Sequence, residues 1–410
     1  MSGTGSRSTR LPLIDSLRAG AALLIFAYHA LFVTGTLSRD DYGWFLNVGV
    51  PLFYGISGLL LFKPFAEAIV NGTASPNVRD YGRHRLFRIV PAYWLALPVV
   101  ALLLGRTAQV FSFEGLIRYF GLTQAYSLDT FVGGIGQAWT LTVEVAFYIF
   151  LPFWAWLCAR AVGGATGPEA RARGLLAMIA GAVGLSIAWK VGVVVHFGND
   201  IASALVPLTA LPAALDQFCV GMAIAVLVSL QKAGVASRVL GGFAKMPAAG
   251  VLIALLAYWL IGEVYGIGPL RTHPLGGWGA NTILEHEGKA LVAGGLLLAG
   301  VTAIPGSGVI GRSLNWHPLR WVGEVSYGVY LWHLAILTVV AGNAKWALGT
   351  HGLIADPSGV GVTASTPVIL IAVLISLALT LLVAWISWGW VETYFIRRSH
   401  SGRTRPVASA

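Results

Sequence analysis

Long apolar stretches separated by short polar ones dominate the chain. Crossing ~30 Å of hydrocarbon takes a helix of ~20 apolar residues. Runs suited to this recur near residues 13–35, 44–62, 89–104, 135–157, 174–196, 204–229, 246–266, 289–304, 324–342 and 366–391, the third and eighth being short. The pattern predicts an all-α polytopic membrane protein with about ten transmembrane helices. A further stretch, Val110 to Tyr126, is interrupted by Glu114 and Arg118 and predicts an interfacial or re-entrant piece. No internal repeat, low-complexity region or extra soluble domain breaks the series. The expected division is therefore a tail over 1–12, a transmembrane domain over 13–396 and a basic tail over 397–410.

Composition agrees. The 410 residues are 56 % hydrophobic and only 11 % charged, with a mean hydropathy of +0.75, whereas soluble proteins carry roughly 25 % charged residues. The net charge of +10 raises nucleic acid as a partner, but the lysines and arginines fall between apolar spans and form no basic face on a soluble module. Nucleic acid is thereby excluded, and the bilayer is the expected partner. With the N-terminus in the cytoplasm, nineteen basic residues fall on the cytoplasmic side and five, Arg39, Arg106, Arg118, Arg271 and Lys345, on the other. That positive-inside bias places both termini in the cytoplasm. No cleavage site follows a short apolar region, so the first span is expected to be retained. Cys158 and Cys219 lie in or beside apolar spans and read as packing residues.

Against this background the intramembrane polar residues stand out. The first span, "DSLRAGAALLIFAYHALF", carries Arg18 near its inner end and His29 eleven residues on. At ~1.5 Å and ~100° per residue the two share one stripe about 16 Å apart. Taken singly, Arg18 reads equally as a snorkelling end-anchor or a functional group, and His29 equally as a hydrogen-bonded packing residue or a functional group; their alignment shifts the balance modestly toward function. The fourth span brings Glu144 to a depth comparable to His29. A carboxylate on one imidazole nitrogen would fix the tautomer and make the other a better base, so a His29–Glu144 contact is expected. Ser326, Tyr330 and His333 form a stripe at i, i+4 and i+7 on the ninth span, suited to substrate contact or to an interhelical hydrogen-bond seam. In "RDYGRHRLFRIVPAYW", Arg85 and Arg88 lie three apart where the third span begins, and forked guanidiniums suit phosphate oxygens. Gly55 and Gly58 suit close helix packing. The loop holding His273, Glu285, His286 and Glu287 has no trusted metal spacing and reads as solvated, so no metal is expected.

These residues together resemble the acyltransferase family 3 membrane proteins. "DSLRAGAALLIFAYH" is similar to the family's Arg-x10-His span, "RLFRIVPAYW" to its Arg-x-x-Arg motif, "AWTLTVEVAFY" to its Trp-and-Glu span, "SYGVYLWHL" to its late Ser-Tyr-x-x-Tyr-Leu-x-His span and "WVETYFIRR" to its ending. One departure is Val145, where many members carry a second acidic residue. The resemblance implies an O-acyltransferase of the bacterial cytoplasmic (inner) membrane. It would move an acyl group, acetyl or another short acyl, from acyl-CoA to a hydroxyl of an envelope carbohydrate or glycolipid. An acceptor such as a macrolide sugar is the alternative. Carried over by position, His29 and Glu144 are the expected catalytic pair. Arg18, Arg85 and Arg88 are the expected donor-binding residues, and Ser326, Tyr330, His333 and Trp139 the substrate or oxyanion residues. Direct transfer with His29 as general base and a transient acyl-histidine both fit. The rival class is a secondary transporter, which also uses intramembrane His, Glu and Arg but predicts broken helices in two related halves.

Overall fold

The computed structural model describes residues 13–37, 42–198, 200–264, 278–347 and 366–400. Among these residues there is no β-strand, as the all-α expectation requires. α1 (Ile14–Val33) leads through a 3-10 segment, Tyr42–Val48, into α2 (Gly49–Asn71) and α3 (Val78–Leu103). Two short helices, α4 (Thr107–Val110) and α5 (Phe113–Arg118), and 3-10 turns at Gln124–Tyr126 and Gly136–Ala138 precede α6 (Trp139–Val162). α7 (Gly167–Phe197), α8 (Ile201–Thr209), α9 (Leu211–Lys232), α10 (Arg238–Lys245), α11 (Ala248–Val264) and α12 (Trp278–Thr302) follow. The chain continues through α13 (Gly308–Leu314), α14 (His317–Glu324), α15 (Ser326–Ala347) and α16 (Thr366–Ser387), then a π-helical turn, Trp388–Glu392, and α17 (Thr393–His400). The expected tails at 1–12 and beyond 400, and His273, lie outside the described residues.

Among the described residues, seven helical segments are long and apolar enough to cross a membrane, and nine if two sharply bent pairs each count as one span. Those pairs are α10 with α11, bent by 94°, and α14 with the start of α15, bent by 77°. The stretch from 107 to 126 is broken into short helices and turns, in keeping with its interrupted pattern. Two boundaries differ from the sequence reading. The third expected span begins at Val78, because the Asn77 side chain accepts from the amides of Arg79 and Asp80 at 2.8 and 3.2 Å and caps a helix that runs through the arginines. Polarity ended the apolar window there, not the helix. Likewise the segment expected as a solvated loop is helical from Trp278. Its charges are paired: Glu285 with Lys289, and Glu287 with Lys190.

Close packing explains the central crossing of α2 and α9. A Cβ on Gly58 would meet the backbone of Phe218, and one on Gly221 would meet the carbonyl of Gly55, so these glycines let the two helices touch backbone to backbone. Tyr54, Phe218 and Phe147 then stack in series at ring-centroid separations of 4.5 and 4.0 Å. Away from this stack, the fully buried Lys190 Nζ on α7 reaches Asp216 on α9 at 2.6 Å and Glu287 on α12. This ion cluster ties three helices together. Cys158 and Cys219 are buried and free.

Candidate active site

The polar residues singled out in the sequence converge where α1, α2, α3, α6 and α15 meet. Asp15 lies in the first turn of α1, where the helix dipole favours a negative charge. That end is fixed against the α13–α14 region: Ser16 Oγ donates to the Leu314 carbonyl, and Gly323 packs on the backbone of Asp15. Arg18 follows one turn on. At the far end of α1, Thr34 Oγ1 returns to the Ala30 carbonyl at 2.7 Å and Gly35 takes φ +71°, a left-handed turn that suits glycine.

Arg18 borders a narrow chamber of about 60 Å³, with Arg88, Glu144, Ser57, Tyr148 and Ser326 among its other lining residues. His29 borders a wider cavity of about 510 Å³, lined also by Asn47, Arg106, Gln137, Trp139 and Thr140. Ile25, Val50, Thr140 and Tyr330 line both spaces, so the two adjoin along one side of α1. The stripe expected from Arg18 to His29 is therefore a wall shared by two consecutive spaces. Arg85 faces a third one, a broad apolar groove of about 1150 Å³ between α3, α6 and the π-helical turn, parted from the chamber by Ile89 and Tyr148.

The expected contact between His29 and Glu144 is absent. Among the described residues no hydrogen bond or ion pair joins them. Glu144 Oε1 accepts instead from Ser57 Oγ at 2.5 Å and from Tyr148 OH at 2.6 Å, beside Arg18 and Arg88. A comparable expected depth does not fix which side of α6 a residue takes, and Glu144 borders the chamber of Arg18 and Arg88, not the cavity of His29. His29 meets His333 on α15, with Nδ1 of His29 at 3.1 Å from Nε2 of His333. Both Nδ1 atoms also sit 2.9–3.0 Å from backbone carbonyls of their own helices: Ile25 for His29, Val329 and Tyr330 for His333.

Other positions divide between lining and scaffold. Ser326 is in the chamber and Trp139 on the cavity wall, stacked on Phe131 at 5.5 Å. Tyr330, one of the expected substrate or oxyanion residues, borders both spaces, and its hydroxyl donates to the Gln137 carbonyl at 2.7 Å and contacts Thr140 Oγ1 at 2.9 Å. With its one proton engaged, it is a strut. Gln137 Nε2 completes that strut by donating to the carbonyls of Tyr330 and Leu331 at 2.8 and 3.1 Å, binding the start of α6 to α15. His333 is 1 % exposed and lies behind His29, not on the cavity wall.

Several residues escaped the sequence reading. Ser57 and Tyr148 hold Glu144; Pro152 has no amide to give the Tyr148 carbonyl, which accepts from Tyr81 OH at 3.3 Å. Asn47 faces the cavity with its side-chain oxygen buried and without a hydrogen-bond partner among the described residues. Its one signal in the sequence is an isolated amide in "WFLNVGVPLF". Glu392, 2 % exposed, ends the π-helical turn close enough to Arg88 and Arg18 for their charges to interact. Such turns are frequent at functional sites. Around Arg18 stand three carboxylates, Asp15, Glu144 and Glu392, the last also near Arg88, whereas Arg85 opens onto the neighbouring groove. Nε of Arg18 and of Arg85 are buried with no partner among the described residues. No group of three or more His, Cys, Asp or Glu suited to a metal occurs among the described residues.

A family model described as an acyltransferase domain, that of acyltransferase family 3, matches residues 11–389. The chain belongs to this family. It is similar to "Putative peptidoglycan O-acetyltransferase YrhL" of Bacillus subtilis (strain 168), 25 % identical over 357 residues, covering 80 % of this chain and 49 % of that protein. This chain therefore spans about half the length of that relative. It is also similar to "Protein 2 in picA locus" of Rhizobium radiobacter, 29 % identical over 152 residues, covering 36 % of this chain and 75 % of that one. No solved structure matches the chain. Multiple apolar helices together with the family make this a multi-pass membrane protein.

Proposed function

We propose that this protein is an O-acyltransferase that carries an acyl group, acetyl or another short acyl, from cytoplasmic acyl-CoA to a hydroxyl of an envelope carbohydrate or glycolipid. The observation that carries the reading is the pair of adjoining spaces along α1, a narrow one bearing arginines and a wide one bearing His29. A volume of about 60 Å³ holds only a few waters. It suits a threaded methylene arm and excludes a sugar ring, whereas about 510 Å³ accommodates a sugar. The guanidiniums of Arg18 and Arg88 at the chamber, with Arg85 near Arg88, favour a phosphorylated donor. The relative named as a peptidoglycan O-acetyltransferase supports an envelope carbohydrate as acceptor.

In this reading both termini are cytoplasmic in a bacterial inner membrane, as the distribution of basic residues favours. Donor phosphates engage the arginines, the pantetheine arm occupies the chamber and the thioester reaches His29. The acceptor hydroxyl oxygen attacks the thioester carbonyl carbon while its proton passes to His29. The C–S bond then breaks, and the CoA thiolate takes that proton back. Asn47, with its free carbonyl oxygen, accepts from a second hydroxyl of the acceptor and so orients it. Glu144 and Glu392 act as counter-charges that hold the arginines apart until the donor arrives.

The test is His29→Ala, assayed with labelled acetyl-CoA and with binding of the non-hydrolysed donor. General-base catalysis supplies ~10²- to 10⁴-fold, so transfer should fall by at least ~10²-fold with donor Kd unchanged. Transfer near the wild-type rate would remove His29 from the chemistry.

A further inference from the structure

We propose that His333 is a positioning residue that fixes the tautomer of His29, leaving Nε2 of His29 as the nitrogen that takes up the acceptor's proton. The inference rests on the reading of His29 as the base. It follows from counting donors and acceptors around two imidazoles. Nδ1 of His333 lies 3.0 Å from the Val329 carbonyl oxygen and 2.9 Å from that of Tyr330. Carbonyl oxygens only accept, so this nitrogen carries a hydrogen. A neutral imidazole has one N–H, which makes Nε2 of His333 a bare lone pair. That lone pair faces Nδ1 of His29 at 3.1 Å, and Nδ1 of His29 also lies 3.0 Å from the Ile25 carbonyl oxygen. Both neighbours of this nitrogen are acceptors, so it too carries a hydrogen. Nε2 of His29 is left as the free base.

The alternatives conflict with the same distances. An imidazolium at His333 would point an N–H at Nδ1 of His29, which would then have to be a lone pair set against the Ile25 carbonyl. Swapping the tautomer of His333 alone would leave its Nδ1 lone pair against two carbonyl oxygens. A resting pair of neutral rings sets no two lone pairs against each other, the one hydrogen on Nδ1 of His29 being shared between the Ile25 carbonyl and Nε2 of His333, and it avoids placing a charge within the membrane. The rings around it are Phe26, 6.4 Å from His333, Tyr28, edge-on to His29 at 5.2 Å, and Tyr330, 6.4 Å from His333. Glu144, the nearest catalytic rival for the role, is bonded to Ser57 and Tyr148.

The arrangement also serves the reaction. When Nε2 of His29 takes the hydroxyl proton, the ring becomes an imidazolium whose Nδ1–H already points at a lone pair, and the bond becomes charge-assisted. As the C–S bond breaks, the proton leaves Nε2 for the thiolate, and His333 keeps its own hydrogen throughout. A second imidazole here performs the orienting task that a carboxylate performs in other triads.

The experiment is nitrogen-15 solid-state NMR of the full-length protein labelled at histidine, in lipid, with His29 assigned by difference from His29→Gln. The wild type should show Nδ1 of His29 protonated and Nε2 bare. His333→Leu should yield a mixture of tautomers and lower kcat by at least about 10-fold, a wrong tautomer elsewhere costing as much as about 10⁴-fold, with donor Kd unchanged. His333→Gln, whose carboxamide oxygen can accept from Nδ1–H, should recover most of both. A wild-type His29 protonated at Nε2, or a His333→Leu protein with the parent's nitrogen pattern and kcat, overturns the proposal. Should His333→Leu fail to fold, the wild-type spectrum still decides. Should His29→Ala remain active while the spectrum matches, the base reading falls and the tautomer assignment stands.

Discussion

Replacing Arg88 with Gln tests the donor end of the site, and its size can be worked out. Arg88 and Arg18 line the same narrow chamber, and neither forms a hydrogen bond or ion pair with another described residue. Water has little room there, so a donor phosphate that meets a guanidinium finds it poorly solvated and preset. Hydrogen bonds to charged groups contribute ~1.5–3 kcal/mol each, and ~1.4 kcal/mol is a factor of ten in affinity. Losing one such bond should therefore raise donor Kd by ~10- to 150-fold. Arg88→Lys keeps the charge and loses the fork, so it should fall between. Arg83 lies on the same helix but pairs with Asp80 at 3.5 Å, and both side chains are about a third exposed. Arg83→Gln should thus change Kd by less than about twofold. The measurement is equilibrium binding of labelled acetyl-CoA to the purified protein in a His29→Ala background, where the donor is not consumed. An Arg88→Gln protein that binds within twofold of its parent, or an Arg83→Gln protein that loses as much, would refute a donor site in this chamber.

Glu144→Gln should leave the nitrogen-15 signature of His29 unchanged and tighten donor binding, because an anionic donor no longer competes with an internal carboxylate for the arginines. An altered His29 tautomer with unchanged Kd would return Glu144 to His29. Lys190→Met breaks a fully buried ion cluster and should cost ~3–5 kcal/mol of stability, measured by denaturation in detergent. Lys190→Met with Asp216→Asn removes the more deeply buried of the two stranded carboxylates, Glu287 being 28 % exposed, and should recover part of that; a double variant no more stable than the single would refute the pairing with Asp216.

What was legible in the sequence was which stretches are apolar helices and how residues follow one another along one helix; what was not was azimuth. Apolar run length marks most of the long apolar helices, and the rise and turn of a helix put Arg18 and His29 on one side of α1. The face of α6 that Glu144 takes depends on helix packing, which no spacing on α6 encodes. Two contacts set it: the crossing of α2 and α9 through Gly58 and Gly221, which seats α2 and its Ser57 beside Glu144, and the strut from Gln137 to Tyr330. The stripe of Ser326, Tyr330 and His333 shows the same limit. Spacing put the three on one helix face, yet they face the chamber, the α6 strut and His29 in turn. Arg85 and Arg88, one helical step apart, even open onto different spaces because Ile89 and Tyr148 stand between them. The charges misread as a solvated loop fail for a different reason. A hydropathy window scores Glu285, Glu287 and Lys289 as solvent-seeking, whereas opposite charges that meet, Glu285 with Lys289 along the helix and Glu287 with Lys190 across helices, can be buried together. Pairing, like azimuth, belongs to the neighbour. The two histidines are the sharpest case, because each alone is an ordinary buried imidazole, and only the other ring, 304 residues away in the chain, decides which nitrogen of His29 is free.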